Sequence, residues 1–196
     1  MSGLFVDSIK DASNTKTLAT LSSSAVTLDS SVVFPAGGTG NPVSVAVIAD
    51  EKSTDTNSGG SAADTTQYRD LNTKLSDLDN IVTVDPVNKQ FTIGAGTYLI
   101  ECSAPAYKVN RHHVLLWDQT AGAYVTKNAG TSEYTSDSDA VATRSFGSYI
   151  VTPTSSNVYR IAHYTASAQT SNGLGIEVEK SGLVSIFTIV KIIKLK

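Results

Sequence analysis

Arg111-His112-His113 is the densest cluster of chemistry-bearing side chains in the 196 residues. Its sharpest reading is a metal or acid–base site. Neighbouring residues on a strand point to opposite faces, so His112 and His113 cannot hold one ion without a ligand arriving from elsewhere. His163 is the third histidine and the candidate for that role, but no spacing brings it there. Packing or interface histidines are therefore the expectation. Cys102 falls in phase with Tyr98 and Ile100 and reads as a small buried hydrophobe. Pairing it with His113 or His163 as a nucleophile would need an orienting group and an oxyanion hole, and neither is signalled.

Two acidic pairs invite comparison with polysaccharide cleavage, which uses two carboxylates. Asp137 and Asp139 lie in a Ser-rich loop. Glu177 and Glu179 share one face of an expected strand opposite Ile176 and Val178. Solvated carboxylates account for both. Arg111 or Arg144 could pair with Glu101 or Glu133, at a symmetry axis or simply on the surface. Gly38-Thr39-Gly40 and Gly173-Leu174-Gly175 lack the Lys-Ser/Thr of a phosphate loop and any βαβ context. No catalytic, cofactor or metal residue is assigned, and the chain is expected not to be an enzyme. Tyr107, Trp117, Tyr124, Tyr134, Tyr149 and Tyr164 stand near polar loops, which suits sugar stacking or protein contact. Trp117 is assigned to the core or to a subunit seam.

Composition narrows the setting for these residues. Hydrophobic residues make up 40% and charged residues 17%, so the chain is globular and its surface is covered largely by Ser, Thr, Asn and Gly. A net charge of −3 gives no reason to expect nucleic-acid or membrane-surface binding. A single cysteine excludes an internal disulfide, which leaves a metal or oligomerisation as the extra source of stability, and oligomerisation is the expected one. The first residues lack a basic region followed by a long apolar run, so no secretory signal is expected. Leu183 to Leu195 is interrupted by Ser185, Thr188, Lys191 and Lys194 and is too short to span a bilayer.

The elements that must position the side chains all read as strands. Residues 1–40 alternate short apolar bursts (Leu4-Phe5-Val6, Thr17 to Leu21, Ala25 to Leu28, Val32-Val33-Phe34) with polar punctuation, too short for helices. They read as a stalk and linker that ends in Pro35 to Pro42, and residues 41–196 as the main domain. From Val43 to Ala49 the alternation places Val43, Val45 and Val47 toward a core. Further strands are expected at Gln67 to Leu75, Ile81 to Val84, Phe91 to Ile93, Thr97 onward to Tyr107, His113 to Trp117, Ala123 to Val125, Thr143 to Val151, Asn157 to Tyr164, Gly173 to Val178 and Leu183 to Leu195. Loops are expected at Lys52–Thr66 and Asn128–Ala140. Strand after strand with no helical periodicity indicates a β-sandwich or barrel. The last strand is apolar on both faces, which predicts a central strand with a partner subunit over its second side, the alternative being a strand buried within one larger monomer.

Arg69-Asp70-Leu71-Asn72, Ile81-Val82-Thr83, and above all Phe91-Thr92-Ile93-Gly94-Ala95-Gly96-Thr97-Tyr98-Leu99-Ile100 resemble the complement globular-head and tumour-necrosis-factor superfamily. The resemblance covers Val43 to Lys196, is specific around Phe91–Ile100, and implies a homotrimeric all-β jelly roll. The front segment, Leu4 to Ser13 and Val32 to Gly38, looks like the segments preceding such heads in bacteriophage fibre and decoration proteins. The expectation is a non-enzymatic virion protein, made in the host cytoplasm, with a trimeric head on a short stalk. Phe187, Ile189, Val190, Ile192, Tyr98 and Trp117 are the expected trimer-interface residues. Leu4, Phe5, Val6 and Ile9 are expected to attach residues 1–36 to other virion proteins. Loops Glu51–Thr66, Asn128–Ala140 and Ala166–Asn172 would meet a host-surface glycan or protein. The alternatives are a capsid decoration protein of the same fold, and a polysaccharide-degrading spike.

Overall fold

The computed structural model describes residues 8–10, 17–21, 26–28, 43–125, 130–177 and 179–195. They belong to two compact units, Met1–Pro42 and Val43–Lys196. The first unit contains a three-stranded antiparallel sheet of β1 (Ser8–Lys10), β2 (Thr17–Leu21) and β3 (Val26–Leu28) in that order. Ile9 lies in β1 opposite Ala19. Leu4, Phe5, Val6 and Val32 to Gly38 lie outside the described residues.

The second unit is an all-β sandwich of two sheets. Its strands are β4 (Ser44–Lys52), β5 (Thr65–Tyr68), β6 (Thr73–Asp77), β7 (Val82–Asp85), β8 (Gln90–Ile93), β9 (Tyr98–Tyr107), β10 (Asn110–Asp118), β11 (Ala123–Tyr124), β12 (Ser132–Thr135), β13 (Ala142–Val151), β14 (Asn157–Thr165) and β15 (Ser185–Lys194). One sheet runs β13-β9-β15-β4-β6. The other runs β11-β10-β14-β8-β7, with β12 on β10 and β5 on β14. From β8 onward the long strands alternate between sheets: β9, β13 and β15 enter the first, β10 and β14 the second. That winding is a jelly roll, and it explains why strands adjacent in sequence seldom pair. Among the described residues no helix is long and apolar enough to cross a membrane.

Period-two alternation sets what enters the core. Tyr98, Ile100, Cys102 and Ala104 of β9 are buried and face Val114 and Leu116 of β10, Tyr159 and Ile161 of β14, and Phe91 and Ile93 of β8. Phe91 and Tyr159 stack with ring centroids 5.8 Å apart. Gly94-Ala95-Gly96 carries the chain from β8 in one sheet to β9 in the other, with Gly96 at φ 148°. Such a conformation costs a glycine little.

Several expectations are corrected. On β4 the core face is Ala46 and Ile48, both fully buried, whereas Val43 is 58% exposed and Val45 and Val47 share the outward phase. Gln67 to Leu75 is not one strand. Arg69 to Asn72 crosses between sheets, with Arg69 N–H donating to the Ile161 carbonyl and Asn72 N–H to that of Ala49. Asn128–Ala140 is not wholly loop, since β12 lies within it. Among the described residues of Gly173 to Val178 there is no strand; Gly175 sits at φ 139° with Phe187 against it. Finally, β15 is central, between β9 and β4, but a bulge between Ile186 and Ile189 breaks its alternation. Phe187 and Thr188 are consequently both buried.

Candidate functional site

Three side chains that the sequence leaves far apart meet at one end of the sandwich. Arg69, on the crossing between β5 and β6, is fully buried. A buried guanidinium must find partners for its fixed fork of donors. Nε donates to Thr188 Oγ1 at 2.7 Å, Nη1 to the Pro105 carbonyl at 3.3 Å, and Nη2 to the Leu174 carbonyl at 2.6 Å and Ser58 Oγ at 3.0 Å. The Ser58 hydroxyl then donates to buried Asp50 Oδ2 at 2.5 Å. Asp50 Oδ1 faces the Lys52 ammonium at 3.0 Å, and Lys52 and Lys89 both pair with Asp70 at 2.6 and 2.7 Å. Burial lowers the Arg69 pKa to about 10, opposed by Asp50 and Asp70, so it stays charged at neutral pH.

His163 of β14 and His112 of β10 point inward beside this group, with His112 Nδ1 3.0 Å from His163 Nε2. Both ends of the chain of contacts fix their tautomers. Arg69 Nη1, which can only donate, lies 3.5 Å from His163 Nδ1. At the far end His112 Nε2 lies 2.8 Å from Thr143 Oγ1, whose hydroxyl donates to the Tyr134 carbonyl at 3.3 Å. Thr143 therefore accepts from His112 Nε2–H, His112 Nδ1 accepts from His163 Nε2–H, and His163 Nδ1 turns its lone pair to Arg69. Each proton points the same way, from the guanidinium toward β12. Burial lowers both histidines. His112 falls to about 4, helped back slightly by Glu133 and pushed down by Arg69 and His113. His163 lies well below its usual value, with Arg69 as the next cause after burial.

His113 points to the other face, as alternation requires, and contacts Ser132 Oγ through Nδ1 at 3.1 Å. Among the described residues no group of three or more His, Cys, Asp or Glu side chains is placed to hold a metal ion. Cys102 is buried opposite Gly147 and Val190, and burial pushes its thiol up to about 12. Asp137 accepts from Asn110 Nδ2 at 3.4 Å and Asp139 from Ser136 Oγ at 2.9 Å. Glu177 lies outside any strand, where its carboxylate accepts the Glu179 N–H at 2.5 Å. Arg144 donates to Ser103 Oγ at 2.8 Å and to the Phe187 carbonyl at 2.5 Å, and Glu101 faces Lys191 at 3.6 Å.

The surface beyond His113 forms a groove of about 640 Å³ on the outer face of the β10–β14 sheet. Leu115 lies along it, and Tyr124, Tyr134 and Tyr164 contribute rings. Trp117 packs edge-on against Tyr124 at 5.0 Å. The three loops assigned to an outer contact converge nearby. Ser61 bridges Gln169, Ala166 N–H donates to the Arg111 carbonyl, and Ser167 N–H to that of Val109. Pairings this distant in sequence have no local signature.

The residues expected at a trimer seam are divided among three places. Tyr98, Phe187, Val190 and Ile192 are buried within one chain, so their side chains are not available to a partner. Trp117 is on the outer face of one sheet and Ile189, 36% exposed, on the outer face of the other. Phe146 and Ile150, absent from the expected set, are 54% and 57% exposed on that second face, Phe146 across Ser103 from Ile189 and Ile150 across Leu99 from Ile193. The alternation of β13 carried this information, since Ser145, Gly147 and Tyr149 go inward.

No protein-family model matches the chain, and no curated protein matches it by sequence. Among solved structures it is similar to murine APRIL, with 10% identity over 78% of this chain and 99% of that one, at a TM-score of 0.49. It is also similar to the globular domain of zebrafish complement 1qA (14% identity, 79% and 98% covered, TM-score 0.48) and to Eiger TNF from S. frugiperda (10%, 79% and 94%, 0.47).

Proposed function

We propose that the protein is a non-catalytic, self-assembling binding head: residues 43–196 associate through the outer face of the β13-β9-β15-β4-β6 sheet, and the opposite sheet and its loops meet a ligand. The carrying observation is the exposure on that face of Phe146 and Ile189, which flank Ser103, and of Ile150 on the far side of the Glu101–Lys191 pair. Leu99, Ile193, Val45 and Val47, in the same phase, continue it at partial exposure. A sandwich with one sheet apolar on both sides has a second surface to cover, and a like surface on another copy covers it without an added partner. The Glu101–Lys191 pair lies amid this face and sets the register of approach. The stoichiometry of three comes from the sequence resemblance around Phe91–Ile100.

The likeness of Leu4 to Ser13 and Val32 to Gly38 to segments of bacteriophage fibre and decoration proteins is what supports a place on a virus particle, with residues 1–36 as the anchor and the head as a fibre tip that meets the host surface. A capsid decoration protein is the second form of this role. Truncation of residues 1–36, read by co-sedimentation with particles, tests it. Loss of particle binding with an assembled head is expected, and retained binding would contradict the anchor. Imaging of labelled particles separates tail from capsid.

A further inference from the structure

The groove beside His113 has the makings of a site. From the β10 register, Tyr134 lies opposite Arg111 and Tyr124 opposite Trp117, so the two rings mark ends roughly 20 Å apart at the usual strand rise. Tyr164 stands between them, opposite His113. Two of these rings are held before any ligand arrives: Tyr164 donates its hydroxyl to Asp64 Oδ1 at 3.0 Å, and Tyr124 leans on Trp117. Rings fixed in advance lose little freedom on binding. Tyr134 stays 61% exposed and Tyr124 40% exposed, more than packing alone would leave.

The polar lining selects among ligand classes. Arg111 lines the groove and Asp64 lies at the Tyr164 hydroxyl, one charge of each sign, Ser132 and Thr66 bring hydroxyls, and His113 is lowered by burial. The groove is close to neutral, with donors and acceptors interleaved between aromatic faces. An acidic ligand would meet Asp64 and a basic one Arg111. A peptide strand would need free backbone groups, but β10 is paired on both sides here, to β12 and β14. The face also lies on the sheet opposite the proposed assembly surface, so it stays open in an oligomer.

We infer that this groove binds a neutral oligosaccharide, its sugar rings stacked on Tyr134, Tyr164 and Tyr124 and its hydroxyls shared among Arg111, Ser132 and Thr66. The inference rests on the binding role proposed above and supplies its site and ligand class. Neither the particle nor the stoichiometry enters it.

The test titrates the full chain with neutral tetra- to hexasaccharides of glucose, galactose, mannose and N-acetylglucosamine, alongside sialyllactose and an unrelated peptide. Heat and tryptophan fluorescence report binding, and sedimentation reports mass. At least one neutral oligosaccharide should bind saturably. Tyr134→Ala and Tyr164→Phe should be compared with wild type: the first loses about tenfold or more in affinity, while the second, which removes only the hydroxyl brace, loses less. Sedimentation should be unchanged in both. No binding by any neutral sugar, preference for sialyllactose or the peptide, or wild-type affinity in folded Tyr134→Ala would each overturn the assignment. Assembly without sugar binding overturns this inference alone, and a monomer that binds sugar overturns only the assembly.

Discussion

Arg69 Nη1 and His163 Nδ1 face one another at 3.5 Å in a place where neither is exposed to water. Because the guanidinium has no lone pair, the imidazole must supply one, and the contacts through His112 and Thr143 to the Tyr134 carbonyl repeat that direction. An added proton on His163 Nδ1 would turn N–H against N–H at Arg69. On His112 Nδ1 it would do the same against His163. The network joins the buried core to β12, the strand that carries one groove wall.

Acid should weaken the fold through this pair. Both histidines titrate below their unfolded value, so the unfolded chain binds more protons as pH falls. Their contribution is complete above pH about 6.5 and is lost progressively as pH falls toward the His112 value of about 4. Arg69 and His113 add to the effect and Glu133 opposes it. Urea midpoints should drop across that window, and His163→Gln should flatten the slope. An unchanged slope in a folded His163→Gln would contradict the assigned network.

Arg69→Met should cost about 3–5 kcal/mol, because it leaves the Pro105 and Leu174 carbonyls and the Thr188 hydroxyl without their donor in the interior and removes a buried charge that faces Asp50. Arg69→Lys should restore little, since an ammonium cannot reach Thr188, Pro105, Leu174 and Ser58 from one plane. Chemical denaturation of both variants measures this. A loss below about 1 kcal/mol in either would count against Arg69 as the centre of the network.

Cys102 should be inert to thiol reagents in the native protein and react at once in denaturant. Its burial and its thiol pKa of about 12 leave almost no thiolate at neutral pH. Rapid labelling of the folded protein would show that the two sheets open readily.

Gly147→Ala should destabilise by about 1–3 kcal/mol through overpacking. A Cβ there would lie 2.6 Å from a Tyr149 ring carbon and 3.0 Å from Cys102 Sγ. Cys102→Ala in the same chain should recover part of the loss, and thermal melts of the single and double variants check it.

How far the sequence alone goes depends on whether a strand has one apolar face or two. Tyr98, Ile100 and Cys102 alternate with Leu99, Glu101 and Ser103, and their inward direction was legible. In β4, Val45 and Val47 compete with Ala46 and Ile48, so periodicity gives two faces without saying which is the core. The bulge in β15 has no composition signal and moves Phe187 inward. Arg69 reads as a surface charge in any local window, and only four separate segments converging on it make its burial affordable in hydrogen bonds. The His112–His163 contact likewise depends on the pairing of β10 with β14, which a single sequence does not encode locally. The tyrosines of the groove were visible as candidates, but their grouping was not.

Sedimentation of the full chain at micromolar concentration is the most direct test of the self-assembling head. The account predicts about three times the chain mass, against 20.6 kDa for one copy, and a folded monomer when Phe146→Glu and Ile189→Lys are combined. A wild-type protein that sediments as a monomer, or a double variant that keeps the wild-type mass, would contradict it.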